Sequence, residues 1–393
     1  MISADWEPDE AGPAARAKVI ACSLPEARQL LGDPLAGDNA FAPLVARRLR
    51  EAGAGAVCIV AVAGPDGRPL HWLDSEHARG WLAPATGTVR RSGDSRLFAK
   101  HLAAAMGRGF VAADAAVLAT MATTWRPPAT DPGAKEPEFV HEPALLPQLS
   151  WDEESRFAEP SATARRRLDL YAIVDSAERV QRVVAAGVPT VQLRIKTPAL
   201  PDAAWHARLR REVQRSIQAC ADGGAELFIN DHWQLAAELG ARGVHLGQED
   251  LLALGDAGRA ALQATGLALG ISSHSLWELC RARALAPRYI ACGPVWPTLT
   301  KAMPWRAQGL DNLAWWCRMA QLPVVAIGGV LGAQQVLDAA RCGSDGVCIV
   351  RGLGNHPGEV VPGLQAALEA GRSRSAAEAM PVEWPHPSLA LTD

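Results

Sequence analysis

Asp231 and Asp250 each follow a short apolar run, 226–229 and 244–246, and a helical pattern over 233–241 joins the two runs ahead of Gly243. That succession predicts strand, helix, strand, with a carboxylate near the C-terminal end of each strand. In a closed parallel barrel those ends face the variable loops, where reacting groups can be held without disturbing the core. The two aspartates are therefore placed to share a hard cation. Oxygen ligands suit Mg2+ beside a phosphate-bearing substrate.

Other apolar runs end in polar residues as well. In QLRIK, alternate positions of a strand share a face, which puts Gln192, Arg194 and Lys196 on one stripe. Two cations turned inward are costly without an anion, so the stripe reads as a grip for a polyphosphate. GISSHS supplies hydroxyls and a histidine, and GPVWPTLTKAMPW carries Thr298, Thr300 and Lys301 in a Pro-bounded loop, a second phosphate cradle. In Ile327-Gly328-Gly329-Val330 the glycines let backbone amides approach an anion closely. His245, inside VHLGQ, reads as a hydrogen-bonded structural residue rather than a catalyst.

The elements that must position these groups alternate regularly. Strand-like runs fall at 168–174, 190–195, 226–229, 244–246, 268–271, 289–291, 324–327 and 346–350, with helical patterns between them. Eight strands alternating with helices in about 205 residues predict a (β/α)8 barrel. A doubly wound open sheet is the rival, but no Gly-rich phosphate turn follows the first strand. Residues 125–166 are rich in Pro, Glu, Ala and Ser and predict a linker. The expected division is a smaller α/β domain over 1–124, the linker, the barrel over 167–375 and a tail over 376–393.

Composition excludes several classes. At 393 residues, 49% hydrophobic and a formal net charge of −3, the chain can bury a large core and lacks the basic excess of a nucleic-acid binder. The longest apolar run, 56–63, is too short for a bilayer, and the acidic start MISADWEPDE is unlike a signal peptide. Eight cysteines without CxxC spacing argue against structural zinc or a disulfide framework. Cys220, Cys292 and Cys348 read as small buried hydrophobes in a reduced, cytoplasmic protein. Trp233, Trp277, Trp296, Trp305, Trp315 and Trp316 fall at helix or loop positions, suited to packing or lids rather than to nucleic acid.

QLRIK, INDHWQLAAELGARGVHLGQED, GISSHS, GPVWPTLTK, AIGG and GSDGVCIV, in this order, resemble the thiamine phosphate synthases. The resemblance covers roughly 168–371. It implies a (β/α)8 barrel that couples hydroxymethylpyrimidine diphosphate to hydroxyethylthiazole phosphate and releases pyrophosphate. By similarity Gln192, Leu193, Arg194, Ile195, Lys196 and Asn230 would hold the pyrimidine diphosphate, and Asp231 and Asp250 the Mg2+. Ser272 and Lys301 would also contact that substrate, with Lys301 on its diphosphate. Thr298, Leu299, Thr300, Gly329, Val350 and Arg351 would hold the thiazole phosphate. Arg351 departs from the family, which usually has a small hydroxyl residue there.

The implied reaction is dissociative. Pyrophosphate leaves a benzylic-type carbon, the aminopyrimidine supports the developing cation, and the thiazole nitrogen attacks. Mg2+, Arg194, Lys196 and Lys301 would neutralise the leaving group as the catalytic charges. No nucleophilic side chain is required, which agrees with the lack of a Ser–His–Asp-like pattern. Partners are two small phosphorylated molecules, with no nucleic acid or membrane, and self-association is left open. Two rival functions are a thiazole tautomerase-like barrel and a non-catalytic sensor of thiamine precursors. An isomerase has no diphosphate to stabilise, so the cations favour coupling over the first; turnover with both substrates separates the second.

Before the linker, SLPEARQLLGD, ARRLREAGAGAVCIVAVAGPDGRP and the segment through RRSGDSRLFAKHLAAAMGRGF resemble the C-terminal half of a ribokinase-type hydroxymethylpyrimidine phosphate kinase. Ser92-Gly93-Asp94-Ser95 occupies the place of that family's anion-binding turn ahead of a helix. About twenty residues precede SLPEA, where such a kinase needs half of its core. The expectation is a truncated, catalytically silent unit used for packing or dimerisation.

Overall fold

A computed structural model of the chain describes residues 18–32, 41–85, 95–127, 130–131, 133, 137, 139–157, 166–297, 305–378 and 384–389. Two compact units emerge. The first comprises Met1–Pro160 together with Ser275–Leu285 and Pro387–Asp393; the second comprises Ser161–His274 and Ala286–His386.

The first unit runs β1 (Ile20–Ser23), α1 (Leu24–Leu30), α2 (Ala42–Glu51), β2 (Ala56–Ala63), β3 (Pro69–Ser75) and β4 (Arg79–Ala83). It continues with α3 (Ser95–Gly107), α4 (Ala112–Thr124) and β5 (Gln148–Leu149). The strands form one sheet in the order β1-β2-β3-β4-β5, with β1 parallel to β2 and the remaining pairs antiparallel. Helix α1 starts on a capping box: the Glu26 N–H donates to Ser23 Oγ, and the Ser23 N–H donates to Glu26 Oε2 at 2.7 Å. Trp72 and Trp81 meet edge to face, 5.1 Å apart, in a core built from β1 to β4, α1 and α2. Helix α4, AADAAVLATMATT, is apolar nearly all round and is enclosed nearly all round.

The second unit begins with β6 (Asp169–Val174), α5 (Ala177–Ala185), β7 (Thr190–Leu193), α6 (Ala203–Gly223), β8 (Glu226–Asn230) and α7 (Trp233–Glu238). It goes on through β9 (Gly243–Leu246), α8 (Gln248–Ala253), α9 (Gly255–Ala264) and β10 (Ala268–Ser273). After α10 (Leu276–Arg283), which groups with the first unit, come β11 (Tyr289–Cys292), α11 (Gly309–Met319), β12 (Val324–Ala326), α12 (Ala333–Arg341), β13 (Gly346–Ile349) and α13 (Pro357–Ala377). Strands β6 to β13 close into an eight-stranded barrel in sequence order, every neighbouring pair parallel. This is the expected (β/α)8 architecture with a separate, smaller α/β unit. Its axis is filled by Tyr171, Ile173, Phe228, Tyr289, Ala291, Val325 and Cys348, side chains that the strand alternation turns inward. The helices are capped by their own sequence: Ser176 accepts the Arg179 N–H at the start of α5, and Asp202 accepts the Trp205 N–H at the start of α6.

Three features of the organisation stand beside the expected division. Part of the stretch read as linker, Gln148–Leu149, is β5 and pairs with β4, because a two-residue strand is too short to leave a periodic signal. The stretch read as a tail is tied down: His386 N–H donates to Asn312 Oδ1 at 2.8 Å, and Asn312 Nδ2 donates back to the His386 carbonyl at 3.0 Å. The helix after the fifth barrel strand groups with the first unit. All eight cysteines are buried thiols outside any disulfide.

Candidate active site

The C-terminal ends of the barrel strands gather the polar residues singled out in the sequence. Strand β7 stops at Leu193, earlier than the expected 195, and of Gln192, Arg194 and Lys196 the first is buried, the second half-buried and the third exposed. Gln192 is 1% exposed inside the barrel and donates from Nε2 to the Tyr171 hydroxyl at 3.1 Å. The Arg194 N–H still follows the ladder, donating to the Val174 carbonyl at 2.8 Å, while Lys196 lies beyond it in solvent.

Asn230 and Asp231 end β8. Asn230 is buried, and Asp231 turns the chain with φ 64°, a left-handed backbone seldom held by a residue other than glycine. The Asp231 N–H donates to the His245 carbonyl at 3.1 Å, which locks this turn to β9. Desolvation, followed by the negative charge of Asp250, pushes the Asp231 carboxyl above the usual range; His232 and Arg194 oppose the rise, as does a hydrogen bond from Asn230. Asp250 lies in the first turn of α8, where its Oδ2 accepts the Gly247 N–H at 3.0 Å. Two carboxylates that repel each other with an arginine alongside form a donor set of oxygen only, which matches a hard cation. Among the described residues no group of three His, Cys, Asp or Glu side chains gathers as a metal centre. A Mg2+ bound here would thus lean on two carboxylates and on substrate phosphate, the usual arrangement for that ion.

Ser272, near the end of β10, is half-buried and lies 2.8 Å from His245 Nε2. Burial holds the His245 imidazole neutral, its pKa lowered to about 3, with the Arg194 charge acting in the same direction. His245 Nδ1 meets the Tyr289 hydroxyl at 2.7 Å, and Tyr289 meets the Tyr171 hydroxyl at 2.6 Å. His245 is therefore hydrogen-bonded on both ring nitrogens, as its place inside a strand suggested. Gln248 Nε2 donates to Ser273 Oγ at 3.0 Å and to the Ser272 carbonyl at 3.3 Å, fixing the end of β10 from α8.

A second group forms after β11, β12 and β13. Val295 N–H donates to the Ile327 carbonyl and Trp296 N–H to the Gly328 carbonyl, so the loops after β11 and β12 run as a pair. Gly328 and Gly329 take φ 91° and 75°. A Cβ on Gly329 would lie 2.5 Å from Trp296 Cβ, so only glycine fits this close approach. Gly352 brings the loop after β13 against the same corner, since a Cβ there would lie 2.7 Å from the Leu331 carbonyl. Gly329, Val350 and Arg351 thus stand on adjoining loops, with Val350 and Arg351 exposed. Thr298, Leu299, Thr300 and Lys301 lie outside the described residues, as do Ser92, Gly93 and Asp94.

A family model described as thiamine monophosphate synthase matches residues 170–353. The thiamine-phosphate synthase of Rhizobium etli is 45% identical over 193 residues, which cover 49% of this chain and 90% of that protein. The chain belongs to the thiamine-phosphate synthase family. The thiamine-phosphate synthase of Neisseria meningitidis serogroup A is 50% identical over 165 residues, covering 42% of this chain and 76% of that protein. A solved thiamine phosphate pyrophosphorylase from Pyrococcus furiosus aligns over 52% of this chain and 96% of its own, at 25% identity and a TM-score of 0.45. Members of the thiamine-phosphate synthase family are transferases, and in this chain the matched residues run from β6 to the turn after β13. No helix among the described residues is long and apolar enough to cross a membrane.

Tyr171 and Tyr289 were missed as members of the site. A signal existed: the chain contains two tyrosines, and each falls in an apolar strand run where a phenyl ring would pack as well. Their hydroxyls needed partners.

Proposed function

We propose that the barrel joins 4-amino-2-methyl-5-hydroxymethylpyrimidine diphosphate to hydroxyethylthiazole phosphate, giving thiamine phosphate and pyrophosphate. The bond between the pyrimidine methylene carbon and the diphosphate oxygen breaks, pyrophosphate keeps the electron pair, and the thiazole nitrogen supplies the pair for the new C–N bond. The observation that carries this reading is the placing of Asp231 and Asp250 after the neighbouring strands β8 and β9, with the Asp250 and Arg194 charges both acting on the Asp231 carboxyl. Arg194 and Lys196, with Lys301 from the loop outside the described residues, neutralise the leaving group. Gln192, Leu193, Ile195, Asn230 and Ser272 hold the pyrimidine substrate; Thr298, Leu299, Thr300, Gly329, Val350 and Arg351 hold the thiazole phosphate. Asp231 and Asp250 are the residues that would hold Mg2+, whose contribution when bound is positive charge beside the departing diphosphate.

The first unit is read as a kinase-like unit with a packing role. Its described polar groups support this by being committed to structure: Asp74 pairs with Arg50 and Arg79, His71 Nδ1 accepts the Ala61 N–H, and Glu26 caps α1. Eight buried thiols outside any disulfide support a reducing, cytoplasmic setting.

The deciding experiment incubates the full purified chain with both substrates and Mg2+ and follows thiamine phosphate. Product formation with stoichiometric pyrophosphate is expected. Binding of both substrates without product would overturn catalysis in favour of a sensor.

A further inference from the structure

Five side chains are joined by hydrogen bonds through the barrel, Gln192, Tyr171, Tyr289, His245 and Ser272, with the Gln192 amide bonded to both tyrosines. Four of them are at most 6% exposed, and only Ser272, half-buried, reaches the open end. They come from five different strands, β7, β6, β11, β9 and β10. Nothing about packing requires this line, since phenylalanine would fill either tyrosine position.

Its direction follows from donor counting. The Gln192 amide N–H donates to the Tyr171 oxygen, so the hydroxyl proton of Tyr171 is left to donate onward to Tyr289. Tyr289, having accepted, donates its own proton to His245 Nδ1. A neutral imidazole that accepts at Nδ1 carries its hydrogen on Nε2 and gives it to Ser272 Oγ. Ser272 has then accepted once from inside the barrel, and its remaining proton must be donated outward. The alternative imidazole, with hydrogen on Nδ1, would make Tyr289 accept from two sides and would turn the Ser272 proton inward.

We propose that Gln192, Tyr171, Tyr289 and His245 act as a fixed-polarity relay that makes Ser272 an obligate hydrogen-bond donor to an acceptor atom of the pyrimidine diphosphate. Tyr289 and His245 are positioning residues: they act on substrate only through Ser272. The proposal rests on the reading above that Ser272 contacts this substrate. A donor whose proton is already aimed costs no reorganisation when charge develops on its partner, which is the condition under which one such group lowers a barrier.

Two measurements test it. In the full chain with 15N-labelled histidine rings, assigned with a His245→Gln variant, His245 should show a protonated, pyrrole-like Nε2 and a bare, pyridine-like Nδ1. A hydrogen on Nδ1 overturns the relay, and this result needs no variant of Tyr289 to fold. The second is a double-mutant cycle on turnover. Tyr289→Phe should lower kcat about tenfold or more, within the range for contacting pairs, and should lose most of that effect in a Ser272→Ala background. Additive effects would overturn the relay by showing that Tyr289 acts elsewhere; if Tyr289→Phe does not fold, Tyr171→Phe enters the same cycle. Ser272→Ala with wild-type turnover would instead remove Ser272 from the substrate site, a failure distinct from that of the relay because the His245 spectrum still reports its direction.

Discussion

Asp114 Oδ1 accepts the backbone N–H of Trp277 at 2.9 Å, so a carboxylate on α4 closes the start of α10, a helix that follows it by 163 positions. The joint is dry: Asp114 is 1% exposed and Trp277 2%. Arg281 on the same helix lies over the Trp151 ring, 4.9 Å from its centroid. Within the first unit, α10 is thus held by residues that precede the barrel in sequence, although the chain reaches α10 directly from β10 and Ser272.

Removal of residues 1–161 should therefore harm the remaining chain, contrary to what separate domains would suggest. Trp277 is buried now and would lose Asp114 and the neighbouring Gly80, and Arg281 would lose the Trp151 ring. Each large side chain newly wetted costs about 1.5–3 kcal/mol. A chain beginning at Ala162 should show a lower thermal midpoint or self-associate on size exclusion, with coupling activity reduced in proportion to folded protein. Equal midpoints for the full and shortened chains would show that α10 is stable without the first unit.

Asp114 also makes stability depend on pH. Burial, the largest influence, raises its carboxyl from near 3.8 to about 7, with Glu278 adding to the rise and hydrogen bonds from Trp277, Ser275 and Leu276 opposing it. A carboxyl with a raised folded pKa stabilises while it is neutral, so its contribution is whole in acid and is lost as pH rises through about 7. The thermal midpoint of the full chain should fall between about pH 4 and about pH 7, and Asp114→Asn should flatten that slope. A slope unchanged in the variant would mean that Asp114 is ionised in the fold.

Removing either carboxylate of the proposed cation pair should act on metal before structure. Asp231→Ala and Asp250→Ala should each reduce Mg2+-dependent turnover by roughly 10²-fold or more, the scale of losing a group that stabilises developing charge. Far-ultraviolet circular dichroism should remain that of a folded barrel. Asp231 lies just past the end of β8 rather than in the core, so its truncation should leave the barrel packing intact. Full turnover in Asp231→Ala, or in wild type with excess chelator, would remove the metal assignment.

Gly329→Ala tests the corner between the loops after β11 and β12. Its φ of 75° and the 2.5 Å approach to Trp296 Cβ leave no room for a methyl group. Strain of ~1–3 kcal/mol is expected, relieved by moving the loop. KM for the thiazole phosphate should rise several-fold while affinity for the pyrimidine diphosphate stays near wild type. Equal loss for both substrates would place Gly329 in general packing.

The barrel was legible in the chain because strand and helix periods are local: all eight apolar runs became strands, and among the described residues every α-helix from α5 to α13 except α10 shares the barrel's unit. The polar residues at strand ends were legible for the same reason, since a carboxylate or arginine that breaks an apolar run marks where the strand meets solvent. What lay beyond local pattern was partnership. Nothing in QLRIK shows that β7 stops at Leu193, because a strand's end is set by where its neighbours stop pairing. Nothing near Gln192 names Tyr171 as its acceptor, and nothing in the apolar run before Tyr289 shows that its hydroxyl meets a histidine 44 positions away. Equally, the sequence of α10 reads as an ordinary barrel helix; only the folded chain commits it to Asp114 and Trp151. Element type follows from a few neighbouring residues, whereas hydrogen-bond partners and helix allegiance are long-range contacts whose donors and acceptors meet only once the chain has closed.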